Sequence, residues 1–238
     1  IVWLCAGLCL VLTSCGLYRN TAGGELSDEA RQKFEYFYLE AERQKALGHN
    51  DAAFDLMCRA AEIDTTSAAA RFFLAPYYLQ LGNYEQARTD LRYAAEQYPG
   101  NYWYNVVYAN FSQQSGQHDE AIRIWSRLLK QNPDKGEINS ALAEAYTAKG
   151  DLKSAVACYD SLESAMGMME PITIEKLKLY GYMGNRDAMV AEAEKLQRTF
   201  PQNTDYMRLL GDIYLEVGRD SAALSMYDRA LALEPENG

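Results

Sequence analysis

The chain has 238 residues, a hydrophobic fraction of 48%, a charged fraction of 24% and a formal net charge of -10 at pH 7. A pI near 4.8 argues against a nucleic-acid ligand and against an electrostatic grip on acidic phospholipid headgroups, since like charges repel. Frequent Ala, Leu, Glu and Gln, with no alternating apolar stretch bounded by turns, point to an all-helical soluble body.

At the amino terminus, Ile1 to Leu12 is an apolar run followed by Thr13, Ser14 and Cys15. The run is too short to span a hydrocarbon core, which needs about 20 residues, and it fits the apolar centre of a secretory signal. A short buried helix and an uncleaved anchor are the alternatives. Leu12, Thr13, Ser14 and Cys15 together resemble a bacterial lipobox, in which small residues precede a cysteine that is lipidated. That resemblance implies lipidation of Cys15, where two or three acyl chains give stable anchoring and one would not. Residues 1–14 are then expected to be a signal segment truncated at its start, and residues 15–27 a lipidated tether with a flexible joint at Gly23 and Gly24. Gly16 is not the Asp that retains such proteins at an inner membrane, so the expected address is the periplasmic face of an outer membrane.

Ser27, followed by Asp28 and Glu29, reads as a helix N-cap with acids in the first turn, which places the start of the folded body near residue 28. From there one signal dominates. Gly48, Gly82, Gly116, Gly150, Gly184 and Gly218 recur every 34 residues, the spacing from 48 to 82 repeating without insertion or deletion. This period predicts six helix hairpins over 34–67, 68–101, 102–135, 136–169, 170–203 and 204–237. Pro99, Pro133, Pro201 and Pro235 stand near the ends of four units, where a proline stops a helix. Ala53, Ala87, Ala121, Ala155 and Ala223 share one position, where a small side chain lets two helices approach. Leu74, Tyr108, Leu142 and Leu210 form a further apolar column, and Leu91, Trp125, Tyr159 and Tyr227 another.

The pattern resembles the tetratricopeptide repeat (TPR) family over residues 34–237, most clearly in the last unit at Leu210, Gly211, Tyr214, Gly218, Ala223, Tyr227, Ala230 and Pro235. The chain resembles multi-repeat TPR lipoproteins of Gram-negative bacteria throughout, including the segment from Tyr159 to Tyr182. What the resemblance implies is an all-α, right-handed superhelical solenoid of six TPR helix hairpins, stabilised by stacking of each unit on its neighbours. Several positions depart from the pattern. Glu40 and Gln44 replace apolar residues in the first unit, as suits a terminal repeat with one face in water. Lys176 and Met189 occupy apolar and small positions in the fifth, which predicts looser packing there. Met166, Gly167, Met168 and Met169 form a corner whose methionines either fill gaps or adapt to a partner.

The catalytic inventory is sparse. His49 and His118 fall in the turns of separate repeats, and both are expected to be solvent-exposed. The pairs Glu192 and Glu194, and Glu234 and Glu236, have a spacing that puts their carboxylates on different helix faces, so they read as solvated charge. Cys5 and Cys9 would leave with the signal, while Cys58 and Cys158 suit small core positions. No phosphate loop, nucleophile set, metal-ligand set or cofactor motif is recognisable, and the chain is expected to be non-enzymatic. The competing expectation is the TPR portion of a longer chain with a catalytic domain downstream.

In TPR arrays the first helix of each unit lines the concave face, so the resemblance implies a partner-binding groove. Its residues here are Tyr38, Phe72, Pro76, Leu79, Trp103, Val106 and Asn110 in the first three repeats. Glu137, Glu144, Ile174, Lys178, Tyr182, Asp205, Arg208, Asp212 and Glu216 follow in the last three. The aromatic residues either anchor a partner or pack between neighbouring first helices. Phe72 and Pro76 stand where a carboxylate-clamp TPR has Lys and Asn, so that mode of binding is not expected. Pro76 inside a first helix predicts a kink. Leu224, Tyr227 and Leu231 are expected to face outward beyond the last repeat, where a continuation of the chain or end-to-end self-association would cover them. The expected partners are proteins or peptides, with a small ligand or glycan as a further reading. The membrane would be engaged only through the lipid.

Overall fold

The computed structural model describes residues 26–235, and the lipobox with Cys15 lies outside these residues. Among the described residues there are twelve α-helices and no strand. In chain order they are α1 (Asp28–Ala46), α2 (Asn50–Ile63), α3 (Ala68–Gln80), α4 (Tyr84–Gln97), α5 (Tyr102–Gln114) and α6 (His118–Gln131). There follow α7 (Gly136–Lys149), α8 (Leu152–Met166), α9 (Glu170–Tyr182), α10 (Arg186–Thr199), α11 (Thr204–Glu216) and α12 (Asp220–Leu233). The second helix of each pair begins at Asn50, Tyr84, His118, Leu152, Arg186 and Asp220, one repeat apart each time. This is an all-α helical repeat fold.

Short-range chemistry sets these boundaries. Ser27 accepts a hydrogen bond from the Ala30 amide at 3.2 Å, and Asn101 accepts one from the Tyr104 amide at 3.1 Å, each satisfying an N–H that the helix itself cannot. Between the helices of each hairpin, the six periodic glycines all have positive φ, from 65° at Gly184 to 86° at Gly150. A Cβ at any of these six would meet nothing within 4 Å, so the left-handed backbone demands glycine and crowding does not. Gly167, which ends α8, lies at φ 86°, ψ -179°, a region essentially closed to residues with side chains.

The described residues divide into two compact units, 26–115 and 116–235. Unit 1 holds α1 to α5 among the described residues, with α1 packed on α2, α2 on α3, α3 on α4 and α4 on α5. Its core takes Met57, Leu74, Tyr78, Leu91 and Tyr108, with Ala53 and Ala87 fully buried at the close approach of each helix pair. Unit 2 runs from α6 to α12 with the same neighbour-to-neighbour packing. Tyr159, Leu162, Ile172 and Leu179 form one of its apolar clusters, and Leu177, Val190, Leu196, Leu210 and Ile213 another. Met169 packs against the first and Met168 against the second, which is the gap-filling use of methionine. Met166 stays exposed. In the last hairpin, a Cβ on Gly211 would sit 2.6 Å from the Tyr227 ring, so this glycine is what lets that ring lie against α11.

Candidate functional site

The expectations about individual polar residues need several corrections. Lys176, the charge in the apolar column of the fifth repeat, is buried and ion-paired. It is only 3% exposed, and its ammonium lies 2.6 Å from Asp160, 3.0 Å from Glu163 and 2.6 Å from Glu192. Lys195 adds a second cation 2.6 Å from Glu163, and the Thr173 hydroxyl donates to the other Glu163 oxygen at 2.8 Å. Glu192 is therefore not solvated charge but part of a largely buried ion cluster linking α8, α9 and α10. Glu194 is engaged too, accepting from the Tyr214 hydroxyl at 2.9 Å and pairing with Arg198 at 3.3 Å. Glu234 accepts from the Thr204 hydroxyl at 2.6 Å, and Glu236 lies outside the described residues.

The cluster sets its own protonation. Burial alone would raise the Glu163 carboxyl, but hydrogen bonds from Lys195, Thr173 and Lys176 outweigh it and hold the group at about 2. Burial would likewise lower Lys176, and the hydrogen bonds to Asp160, Glu192 and Glu163 raise it instead. Asp160, Glu163 and Glu192 are also the one set of three carboxylates among the described residues that converges closely enough to hold a cation. Here the Lys176 ammonium is that cation.

The histidines separate. His49 caps α2 in an exposed position, its Nδ1 2.7 Å from the Gln44 side-chain oxygen. His118 is not an exposed turn residue: it is the first residue of α6, half-buried, and its Nδ1 is buried without a hydrogen bond. Cys58 is buried, and burial pushes the half-buried Cys158 thiol up to about 11, the opposite of what a reactive thiol needs.

In unit 1 the first helices α1, α3 and α5 carry the expected groove residues. Tyr38 is half-buried, its phenol raised by burial and by the Glu42 carboxylate. Phe72 is half-buried with its ring 4.6 Å from that of Tyr104, which in turn meets Tyr98 at 6.1 Å. Tyr104, absent from the residues expected at this face, thus joins α3 to α5. It lies outside the helix positions expected to line the groove, because its contacts run along the helix-to-helix seam. Leu79 and Val106 are half-buried, while Pro76 and Asn110 are exposed. The helix α3 runs from Ala68 to Gln80 through Pro76 without interruption. Trp103 stands 69% exposed with its ring against Tyr102 at 5.3 Å.

The corresponding face of unit 2 has different chemistry. Tyr182 is 78% exposed at the end of α9. Arg208 is held by Asp205 at 2.5 Å and by Glu234 at 3.7 Å, which leaves little of its charge for a partner. Lys178 is similarly paired with Glu175 at 2.7 Å. Between α7 and α9 lies an open cleft of about 590 Å³. Ser140 and Glu144 line it from α7, Tyr159 from α8, and Glu170, Pro171, Ile174 and Glu175 from α9. Burial, aided by the Glu175 and Glu144 carboxylates, pushes the Tyr159 phenol up to about 12, so it stays protonated. The Glu170 carboxylate accepts from the Tyr206 hydroxyl. At the far end, Leu224 and Leu231 are exposed, but Tyr227 faces inward: its ring covers Gly211 and its hydroxyl donates to Asp212 at 2.7 Å.

Repeated helix pairs, with a left-handed glycine between the two helices of each pair, define a helical-repeat fold. Tetratricopeptide repeat profiles match residues 78–134, 113–166 and 207–238, together just over half of the chain. The chain belongs to the tetratricopeptide repeat family. It is 23% identical over 202 residues to anaphase-promoting complex subunit 3 of Schizosaccharomyces pombe, covering 83% of this chain and 29% of that protein. It is 33% identical over 103 residues to cleavage stimulation factor subunit 77 of Arabidopsis thaliana, covering 43% of this chain and 12% of that one. The chain thus spans under a third of the length of these curated relatives.

Among solved structures, Naa15/Naa10 bound to HypK-THB matches with a TM-score of 0.67 at 20% identity, covering 87% of this chain and 33% of that one. MamA matches at 0.54 and 15% identity, over 71% of this chain and 92% of that one. YrrB, described as a TPR protein with an unusual peptide-binding site, matches at 0.51 and 16% identity, over 76% and 93%. At these identities the likeness is one of fold.

Proposed function

We propose that this chain is a lipid-tethered, non-catalytic TPR adaptor of the bacterial envelope, which captures protein or peptide partners on its first-helix faces in outer-membrane assembly or transport. The observation that carries this reading is the pair of large aromatic side chains, Trp103 and Tyr182, left 69% and 78% exposed on first helices. Aromatic rings on a surface that can be dehydrated are where binding energy concentrates. The names of similar proteins support it: two are subunits of larger assemblies, and one has a peptide-binding site. The tether rests on Leu12, Thr13, Ser14 and Cys15. Among the described residues no helix is long and apolar enough to cross a membrane.

Pull-down from detergent-solubilised envelopes with wild type and with Trp103→Ala tests the face. Trp103 contributes little to the core, so the variant should fold normally and lose specific partners, whereas identical partner sets would overturn the reading. Labelled palmitate should enter the wild-type chain and not Cys15→Ser. An unlabelled wild type would remove the tether.

A further inference from the structure

Unit 2 offers a more specific recognition element than the exposed rings. The Tyr159 side chain is 6% exposed and lines the cleft between α7 and α9, yet its hydroxyl makes no hydrogen bond among the described residues. The hydroxyl oxygen keeps some exposure to solvent, so a donor that enters the cleft can reach it. The Glu144 carboxylate at the same cleft also has neither an ion pair nor a hydrogen bond among the described residues. Glu175 shares its charge with the exposed Lys178, while Glu170 already accepts from Tyr206. Pro171 and Ile174 make one wall apolar.

We propose that the α7–α9 cleft receives an arginine or lysine side chain of a protein partner, its aliphatic stem over Pro171 and Ile174 and its cationic head between Glu144, Glu175 and the Tyr159 hydroxyl. A multidentate cationic donor can satisfy the phenol oxygen and a carboxylate at once, and the apolar wall accommodates methylenes that a small inorganic ion lacks. The carboxylates of this cleft do not converge as a metal set, in contrast to Asp160, Glu163 and Glu192. The net charge of -10 favours encounter with a basic partner. This inference rests on the reading that the first-helix faces bind proteins, and it names the chemistry of one such contact.

The test is a titration of the full chain, with methyl-labelled isoleucine, against the peptide Ac-Ala-Ala-Arg-Ala-Ala-NH2, its lysine and norleucine analogues, and free spermidine. The Ile174 methyl should shift saturably with the arginine and lysine peptides. Norleucine should bind about tenfold more weakly or worse, as expected for loss of charge-assisted hydrogen bonds. Glu144→Gln and Tyr159→Phe should each weaken the arginine peptide, and because Glu144 is exposed its variant should retain the wild-type fold. Equal binding of norleucine, shifts confined to other residues, or unchanged affinity in both variants would overturn the proposal. Spermidine binding as tightly as the peptides would show a cation sink and not a side-chain pocket, which also overturns it. If the Trp103→Ala pull-down still loses partners while the arginine peptide ignores the cleft, only this inference falls. Loss of the pull-down effect with the peptide still bound would remove the wider reading instead.

Discussion

The two units solve the problem of a charged side chain inside a helical stack in opposite ways. In unit 1, Asp90 on α4 is 3% exposed, with Gln86 donating at 3.0 Å and Arg71 no closer than 3.5 Å. Arg71 is occupied elsewhere, donating to the Thr65 carbonyl at 2.9 Å and lying over the Tyr93 ring at 4.1 Å. Burial therefore wins, and the Asp90 carboxyl is raised despite its partners. In unit 2, Lys176 has three carboxylates within 3.0 Å and Glu163 has two ammonium groups, so attraction and hydrogen bonding overcome burial. A buried charge becomes a structural fixture only when its partners are close and numerous. The faces differ in the same sense: aromatic and apolar in unit 1, acidic around the α7–α9 cleft in unit 2.

The contrast can be broken most directly at Lys176. Lys176→Met leaves Asp160, Glu163 and Glu192 without their central cation, and removal of one partner from a buried pair typically costs about 3–5 kcal/mol. Hydrogen exchange should show amides of α8 to α10 losing protection while α1 to α4 keep theirs. Equal loss in both units would mean the cluster is not local to unit 2. Gly211→Ala comes next, because its Cβ would lie 2.6 Å from the Tyr227 ring. Overpacking of this kind costs about 1–3 kcal/mol, and a lower urea midpoint confined to α11 and α12 is the expected signature.

Acid should separate the units by sign. Glu163 is depressed from 4.5 to about 2 in the folded chain, so its stabilisation is present above the unfolded value and is lost as pH falls from there towards about 2. Asp90 is raised, so its folded form gains relative to the unfolded one as the carboxyl protonates on acidification. Glu40 in unit 1 is also held at about 2, by Arg43 and Gln44, but it is solvated and its influence is screened. Exchange measured at neutral pH and near pH 3 should therefore show α8 to α10 loosening before α3 and α4, and the reverse order would refute the assignment. The smallest effect is expected from Asp90→Asn, which removes the poorly compensated charge and retains a polar partner for Gln86. A change within about 1 kcal/mol in denaturant unfolding is anticipated; a loss as large as that of Lys176→Met would make the two units equivalent after all.

Much of the architecture was legible because it is written in local sterics. A glycine every 34 residues marks a left-handed backbone that side chains disfavour, as the positive φ at Gly48, Gly82 and their counterparts bears out. The alanine and leucine columns announced which faces would be buried, since burial follows helical periodicity. Lys176 carried one legible signal, a charge in an apolar column, but the column could not say whether the hairpin would loosen or recruit partners. Glu192 looked like solvated charge because helical spacing describes one helix at a time. His118 and Tyr227 were misplaced for the same reason.

The sequence by itself determined the repeat, the helix pairs and the family, because each depends on backbone preferences and apolar periodicity within a few turns of chain. Only tertiary structure decided that Lys176 meets carboxylates from α8 and α10, that Tyr104 bridges Phe72 and Tyr98, and that Tyr159 and Glu144 open on one cleft. Those meetings depend on the separation and rotation of packed helices, and a shift of one side-chain length there redirects a charge without disturbing the repeat.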